Sequence, residues 1–301
     1  MKKVKQLVRF DWAIKKMLRH KVNFDILEGF LSELLSDNIK IKQILDSESN
    51  KETENDKHNR VDILVENGKN ELVIIEVQNS KEYDYLHRIL FGTSKAITEH
   101  IKEGEPYSNI KKIISITIAY FDLGQGKDYV YHGTTSFKGI HKGDLLDLST
   151  KQKEIYNKQN LAQIFPEYWL IKVSKFGNKV KNKLDEWIYF LKNSEVREDF
   201  TAQGLAQAKE RLDEIKMSET ERKAYQRYLK SLRDIASEQH TKMVDAQAAI
   251  DEAEKKAELR GKMEGELKGK IEIAKKMKDK GFSFAAISDI TGLSEEEIEK
   301  L

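Results

Sequence analysis

The stretch RVDILVENGKNELVIIEVQ, residues 60–78, decides the fold. Its two apolar runs, 60–66 and 71–78, are rich in β-branched residues, and Asn67-Gly68 between them is a strong hairpin signal. The pair therefore reads as two antiparallel strands. Asp62 sits among Val61, Ile63 and Val65 on the first strand. Glu76 and Gln78 lie two apart on the second and share one face, while Val77 points to the other, because side chains alternate along a strand. Two carboxylates and one amide can thus converge at one end of the hairpin. A carboxylate inside VIIEV is costly to bury without a partner, and a cation is one such partner. The competing reading is a pair of ordinary edge-strand acids, in solvent or paired with Arg60 or Arg88.

Outward from the hairpin the first part of the chain reads as mixed α/β. Residues 10–20 (FDWAIKKMLRH) and 24–35 (FDILEGFLSELL) have helical periodicity, and the polar stretch 46–58 reads as a loop. Residues 83–104 look helical and end near Gly104 and Pro106. The β-branched run 110–121 predicts a central strand buried on both faces. Weaker strands are expected near 128–131 and 162–173. The only prolines are Pro106 and Pro166, so nothing forbids long helices afterwards.

From about residue 181 the chain reads as almost wholly α. Leu184, Trp187, Ile188 and Leu191 form one stripe, and Tyr225, Leu229 and Leu232 another. Met243, Ala246, Ile250, Ala253 and Ala257 follow heptad spacing, a thin seam suited to self-association. Gly261, Gly265 and Gly269 recur every four residues, which predicts a soft or frayed helix or a close helix–helix approach. Residues 271–301 read as three short helices, with Gly281 ending the first, Ser283 capping the second and Ser294 with Glu297 forming a capping box for the last. A helix-turn-helix is disfavoured there, because the acidic first turn of SEEEIEKL would repel phosphates. A protein contact or a cap on the long helix is expected instead. The organisation that follows is 1–195 as an α/β domain, 196–270 as long charged helices and 271–301 as a small helical motif.

Composition sets limits. Of 301 residues, 35% are charged, above the usual quarter, yet the net charge is only +2. A uniformly basic nucleic-acid coat is excluded, so such contacts need local patches. The chain has no cysteine, which excludes disulfides, thiolate metal sites and a cysteine nucleophile. Met1-Lys2-Lys3 is followed by no apolar signal core, and no run approaches a membrane span, so a cytoplasmic protein is expected, nucleoid-associated if bound to DNA. The seven histidines lack zinc spacing, and His87 reads as a surface residue. Gly124-x-Gly126 reads as a turn. Lys111, Lys112, Lys172, Lys175, Lys179, Lys181 and Lys183 read either as a DNA-facing rim or as solvated ends.

The order D-x(13)-E-x-Q resembles the core of the PD-(D/E)XK nuclease superfamily, and within it the recombination-promoting nuclease and transposase families. The matching pieces are FDWAIKKML (10–18), RVDILVENGKNELVIIEVQ (60–78), HRILFGTSKAI (87–97), GEPYSNIKKIISITIAYF (104–121), KVSKF (172–176) and KDKGFSFAAISDITGLSEEEIEKL (278–301). The resemblance implies a four-stranded mixed sheet flanked by helices and a metal-dependent DNA endonuclease. It implies that Asp62 and Glu76 hold Mg2+, or Mn2+ as a substitute, with the Val77 carbonyl as a third ligand. Gln78 stands where many members have lysine, and Val61 where many have proline. Asp11 falls where the family tends to carry an acid; it places a second metal or water, or is a first-turn acid favoured by the helix dipole. Lys15 either reaches a phosphate or pairs with Asp11. Arg88 either binds phosphate or locks Glu76. Two functions follow: an endonuclease of low sequence specificity in recombination or mobile-element biology, or a weak or inactive nuclease fold that binds DNA and oligomerises. The charged helices imply a dimer.

Overall fold

A computed structural model of the chain describes residues 8–16, 20–45, 62–213 and 217–301, without the side chains of 14–16. The 46–58 loop, Arg60, Val61 and the Lys15 side chain lie outside the described residues. The chain divides into two units, Met1–Tyr225 and Gln226–Leu301.

The first unit is built on the hairpin. Strands β2 (Ile63–Asn67) and β3 (Leu72–Gln78) pair antiparallel, with Ile63 opposite Ile75 and Glu66 opposite Leu72. The turn closes through the Asn67 side chain, whose oxygen accepts the N–H groups of Lys69 and Glu71, while Asn70 takes a positive φ of 60°. Asparagine tolerates both roles, which is why it recurs in such turns. Strand β4 (Ile113–Ala119) is buried along its whole length and runs parallel to β3. Strand β6 (Glu167–Lys172) runs parallel to β4, and β5 (Val130–Gly133) antiparallel to β6. Strand β1 (Ile41–Leu45) pairs antiparallel with β2. The order is β1-β2-β3-β4-β6-β5, a mixed six-stranded sheet rather than four strands. The added strands lie at the two edges.

Helices cover the sheet. Leu72 and Ile74 share a core with Ala96 of α3 (Tyr85–Glu99), so the even-numbered residues of β3 face that helix. Helices α1 (Phe10–Lys16), α2 (Phe24–Leu35) and α5 (Lys183–Asn193) meet through an aromatic knot of Phe10, Phe30, Trp187 and Phe190, with centroids 5.5–6.3 Å apart. The short helix α4 (Thr150–Tyr156) leads toward β6. Helix α6 (Leu205–Arg211) packs into this unit through buried Leu205 and Ala208. Here Gly29 of α2 lies against the backbone of Gln203 and Gly204, and a Cβ on it would strike the Gln203 carbonyl.

Helix α7 (Glu219–Asp279) runs unbroken through Gly261, Gly265 and Gly269. The helix continues through all three, and among the described residues added Cβ atoms would meet nothing within 4 Å. Ion pairs one turn apart offset the glycines, as in Glu238–Lys242, Glu252–Lys256 and Glu258–Lys262, each with the acid on the N-terminal side, the favoured orientation. The stretch from 271 is therefore the end of α7, not a separate helix. Helices α8 (Phe284–Thr291) and α9 (Glu295–Glu299) fold onto it around Ala274, Ile287, Leu293 and Ile298. Ser283 accepts the Ala286 N–H, Gly292 ends α8 with φ of 71°, and Ser294 with Glu297 forms a capping box.

Two predictions follow from this packing. Gly29→Ala is expected to lower stability by roughly 1–3 kcal/mol, because the obstacle is backbone and cannot rotate away; an unchanged thermal midpoint would refute the close approach. Buried Glu66 accepts hydrogen bonds from Lys42 and Lys111, both at 2.9 Å, which hold its carboxyl down at about 2, below its ordinary value of 4.5. A depressed folded value means a stabilisation present above about pH 4.5 and lost as pH falls toward 2. The midpoint difference between wild type and Glu66→Gln should be largest at neutral pH and close across that window; a pH-independent difference would refute the assignment.

Candidate active site

Among the described residues the pairing of β2 with β3 ends at Ile63–Ile75, while β3 stays paired with β4 through Gln78. Asp62 therefore lies in a bend just outside β2, not within the strand as the sequence reading has it. Its Oδ2 accepts the Val77 N–H at 2.7 Å. Backbone groups of successive residues point to opposite neighbours. The Tyr120 N–H donates to the Gln78 carbonyl on the β4 side, so the Val77 carbonyl faces the Asp62 side.

Glu76 and Gln78 point toward α3, as their spacing predicts. Glu76 Oε2 accepts from the Tyr85 hydroxyl at 3.2 Å. Burial pushes the Glu76 carboxyl above its ordinary value; the Arg88 guanidinium opposes this, and the negative charges of Asp62 and Glu82 add to it. Burial and the nearby Glu76 charge also push the Tyr85 hydroxyl far up, so it stays a donor. Gln78 Nε2 donates to Glu82 Oε1 at 2.6 Å, and Arg88 Nη1 lies 3.3 and 3.2 Å from the two Glu82 oxygens. Arg88 thus bonds Glu82 and acts on Glu76 through charge. Its guanidinium lies 5.7 Å from the Tyr85 ring centroid, and its buried Nε has no hydrogen-bond partner. The buried Thr117 hydroxyl, also unpartnered, sits on β4 in register with Glu76.

Asp11 occupies a separate network. It is fully buried and accepts from Arg9 Nη2 at 2.8 Å, Asn79 Nδ2 at 3.0 Å and the Trp12 N–H at 2.9 Å. Asn79, next to Gln78, ties this network to the end of β3. His87 is exposed, as expected. Lysines 111, 112 and 172 are not a free rim: they pair with Glu66, Glu167 and Asp122 at 2.9, 2.5 and 2.6 Å.

Among the described residues no three His, Cys, Asp or Glu side chains gather closely enough to hold a metal by themselves. Asp62, Glu76 and the Val77 carbonyl fit a hard divalent cation in another way. Magnesium takes few protein oxygens and keeps several waters. The raised Glu76 carboxyl, beside two further acids, marks a place short of positive charge.

Glu82, Tyr85 and Thr117 escaped the sequence reading. The weak signals were an acid four residues past Gln78, an aromatic at the α3 start, and the second of two hydroxyls inside the apolar run ISITIA. A raised folded value means that ionised Glu76 opposes folding above its usual titration range. Glu76→Gln is therefore expected to raise the midpoint by about 2–4 °C at neutral pH in chelator, a gain that fades as pH falls toward 4.5. A lower midpoint at neutral pH would count against a strained carboxylate.

Residues 8–242 match the family model described as PD-(D/E)XK nuclease family transposase. Residues 267–301 match the one described as Rpn/YhgA-like nuclease family, C-terminal HTH domain. The second match corrects the reading of α8 and α9 as other than a helix-turn-helix: the acidic α9 turn spoke only to phosphate contact, whereas the paired short helices follow the motif's pattern. Comparison with the curated proteins and with the solved structures finds no match. With the mixed sheet, its flanking helices and a family match over most of its length, the chain belongs to the PD-(D/E)XK nuclease family transposases.

Proposed function

We propose that the protein hydrolyses DNA phosphodiester bonds with little sequence specificity, using Mg2+ or, in its place, Mn2+, in recombination or mobile-element biology. The observation that carries this reading is the pair of carboxylates, Asp62 and Glu76, at the open end of the hairpin, with the Glu76 carboxyl pushed up by burial and by its acidic neighbours. A bound divalent ion supplies charge neutralisation and activates a water.

The chain's own residues do the rest. Asp62, Glu76 and the Val77 carbonyl hold the ion. The Val77 N–H fixes Asp62, and the Tyr85 hydroxyl fixes Glu76. Gln78, held by Glu82, orients the attacking water through its amide. An amide stabilises developing charge less than an ammonium would, so turnover is slow. Arg88 steadies Glu82 and contacts phosphate. The Asp11–Arg9–Asn79 network positions the end of β3 and is a positioning element in this scheme. The helix-turn-helix region adds a DNA contact. Exposed Met243 and Ile250 on α7 support pairing of two chains through these helices. Among the described residues no helix is long and apolar enough to cross a membrane.

Plasmid nicking tests the reading. Wild type with Mg2+ or Mn2+ should convert supercoiled plasmid to open circles, and chelator should stop it. Asp62→Ala should lose at least ~10²-fold in rate, the scale on which one preorganised electrostatic group acts, while keeping DNA affinity. Equal rates in wild type and variant, or no cleavage by wild type with DNA binding intact, would overturn it.

A further inference from the structure

The opposite end of the sheet carries a second feature. An open cavity of about 350 Å³ lies where β4 and β6 begin. Lys112 directly precedes β4, and Ile164 stands just ahead of β6. Glu76 and Gln78 sit at the far end of β3, about 20 Å away at strand rise. The cavity is therefore no extension of the carboxylate site.

Its lining has a particular chemistry. Tyr107 and Tyr156 offer aromatic faces, Ile110 and Ile164 apolar walls, and Lys112 and Lys158 ammonium groups. Among the described residues the lining includes no carboxylate. The acids that pair with these lysines, Glu167 at 2.5 Å and Glu71 at 4.0 Å, are not among the cavity residues. Tyr107 is 87% exposed and Ile110 37%, so the surface keeps apolar area that nothing among the described residues of the first unit covers. Ser108 and Gln163 add polar groups at the wall.

Flat aromatic faces attract flat heterocycles, with stacking on the order of 1–3 kcal/mol per base. Ammonium groups beside them attract phosphate. The volume lies in the range of small-ligand sites. The geometry points to a binding site for a nucleoside phosphate, base against Tyr107 and Tyr156, phosphate toward Lys158, since Lys112 is already held by Glu167. The unit comes either from a free nucleotide or from the end of a DNA strand. This site does not depend on the carboxylate chemistry described above.

The test uses the full chain and the fluorescent probe 2-aminopurine deoxyriboside 5′-monophosphate, whose emission is quenched on stacking. Wild type should quench it saturably, and the nucleoside lacking phosphate should bind at least about tenfold more weakly. Tyr107→Ala changes an exposed side chain and should not disturb folding; it and Lys158→Gln should each weaken binding at least about fivefold. Asp62→Ala should bind as wild type does, which keeps this result separate from that of the cleavage assay. Single-stranded oligonucleotides with the probe at the 5′ end, the 3′ end or the interior distinguish the sources. Tighter binding of an end-labelled strand than of the mononucleotide assigns a strand end, and the reverse assigns a free nucleotide. No saturable quenching by any probe, or quenching unaffected by both variants, overturns the proposal.

Discussion

Among the described residues the pairing of β2 with β3 stops three residues before β3 itself ends, and the site depends on that offset. Had β2 continued, the Val77 backbone would be spent in a ladder and would not be left for the Asp62 side chain. Instead the Val77 N–H takes an Asp62 oxygen, and the carbonyl of the same residue faces the same opening. One backbone irregularity thus sets the position of two oxygen donors. β4, buried on every residue, holds the other edge of β3 rigid.

Around that opening the acids outnumber what the local cations offset. Arg88 pulls the Glu76 carboxyl down, yet burial, Asp62 and Glu82 leave it raised. Ordinary stabilising networks look different. Glu66, with two lysines and Gln43 on its oxygens, is held low, and Asp11 is wrapped by Arg9, Asn79 and a backbone N–H. The contrast within one unit separates acids that hold the fold from acids kept under strain. Strain of this sort is tolerated where a function needs it.

The C-terminal unit shows a different balance. Most of α7 is exposed, including Met243, Ile250 and Leu259, and its ion pairs one turn apart add small local increments. Its end gains a core only where α8 and α9 fold back onto Ala274. Three glycines leave the helix intact here, because the cost of each, about 1 kcal/mol, is spread along a cooperative segment.

The sequence by itself determined the hairpin, the buried strand β4, the α5 stripe and the terminal caps, because each is written in local periodicity or in turn residues that few alternatives can satisfy. It also placed Glu76 and Gln78 on one face, a consequence of the strand period alone. It did not show β1, a five-residue edge strand without a turn signal, or the continuity of α7. Nor did it show that Asp62 leaves its strand, that Glu82, Tyr85 and Arg88 fold back over Glu76, or that Thr117 lies beside it. Those facts rest on contacts between elements, on where one strand stops against another and on which helix covers which face. Only the tertiary structure decides them, since no periodicity within a segment records what a distant segment brings to it.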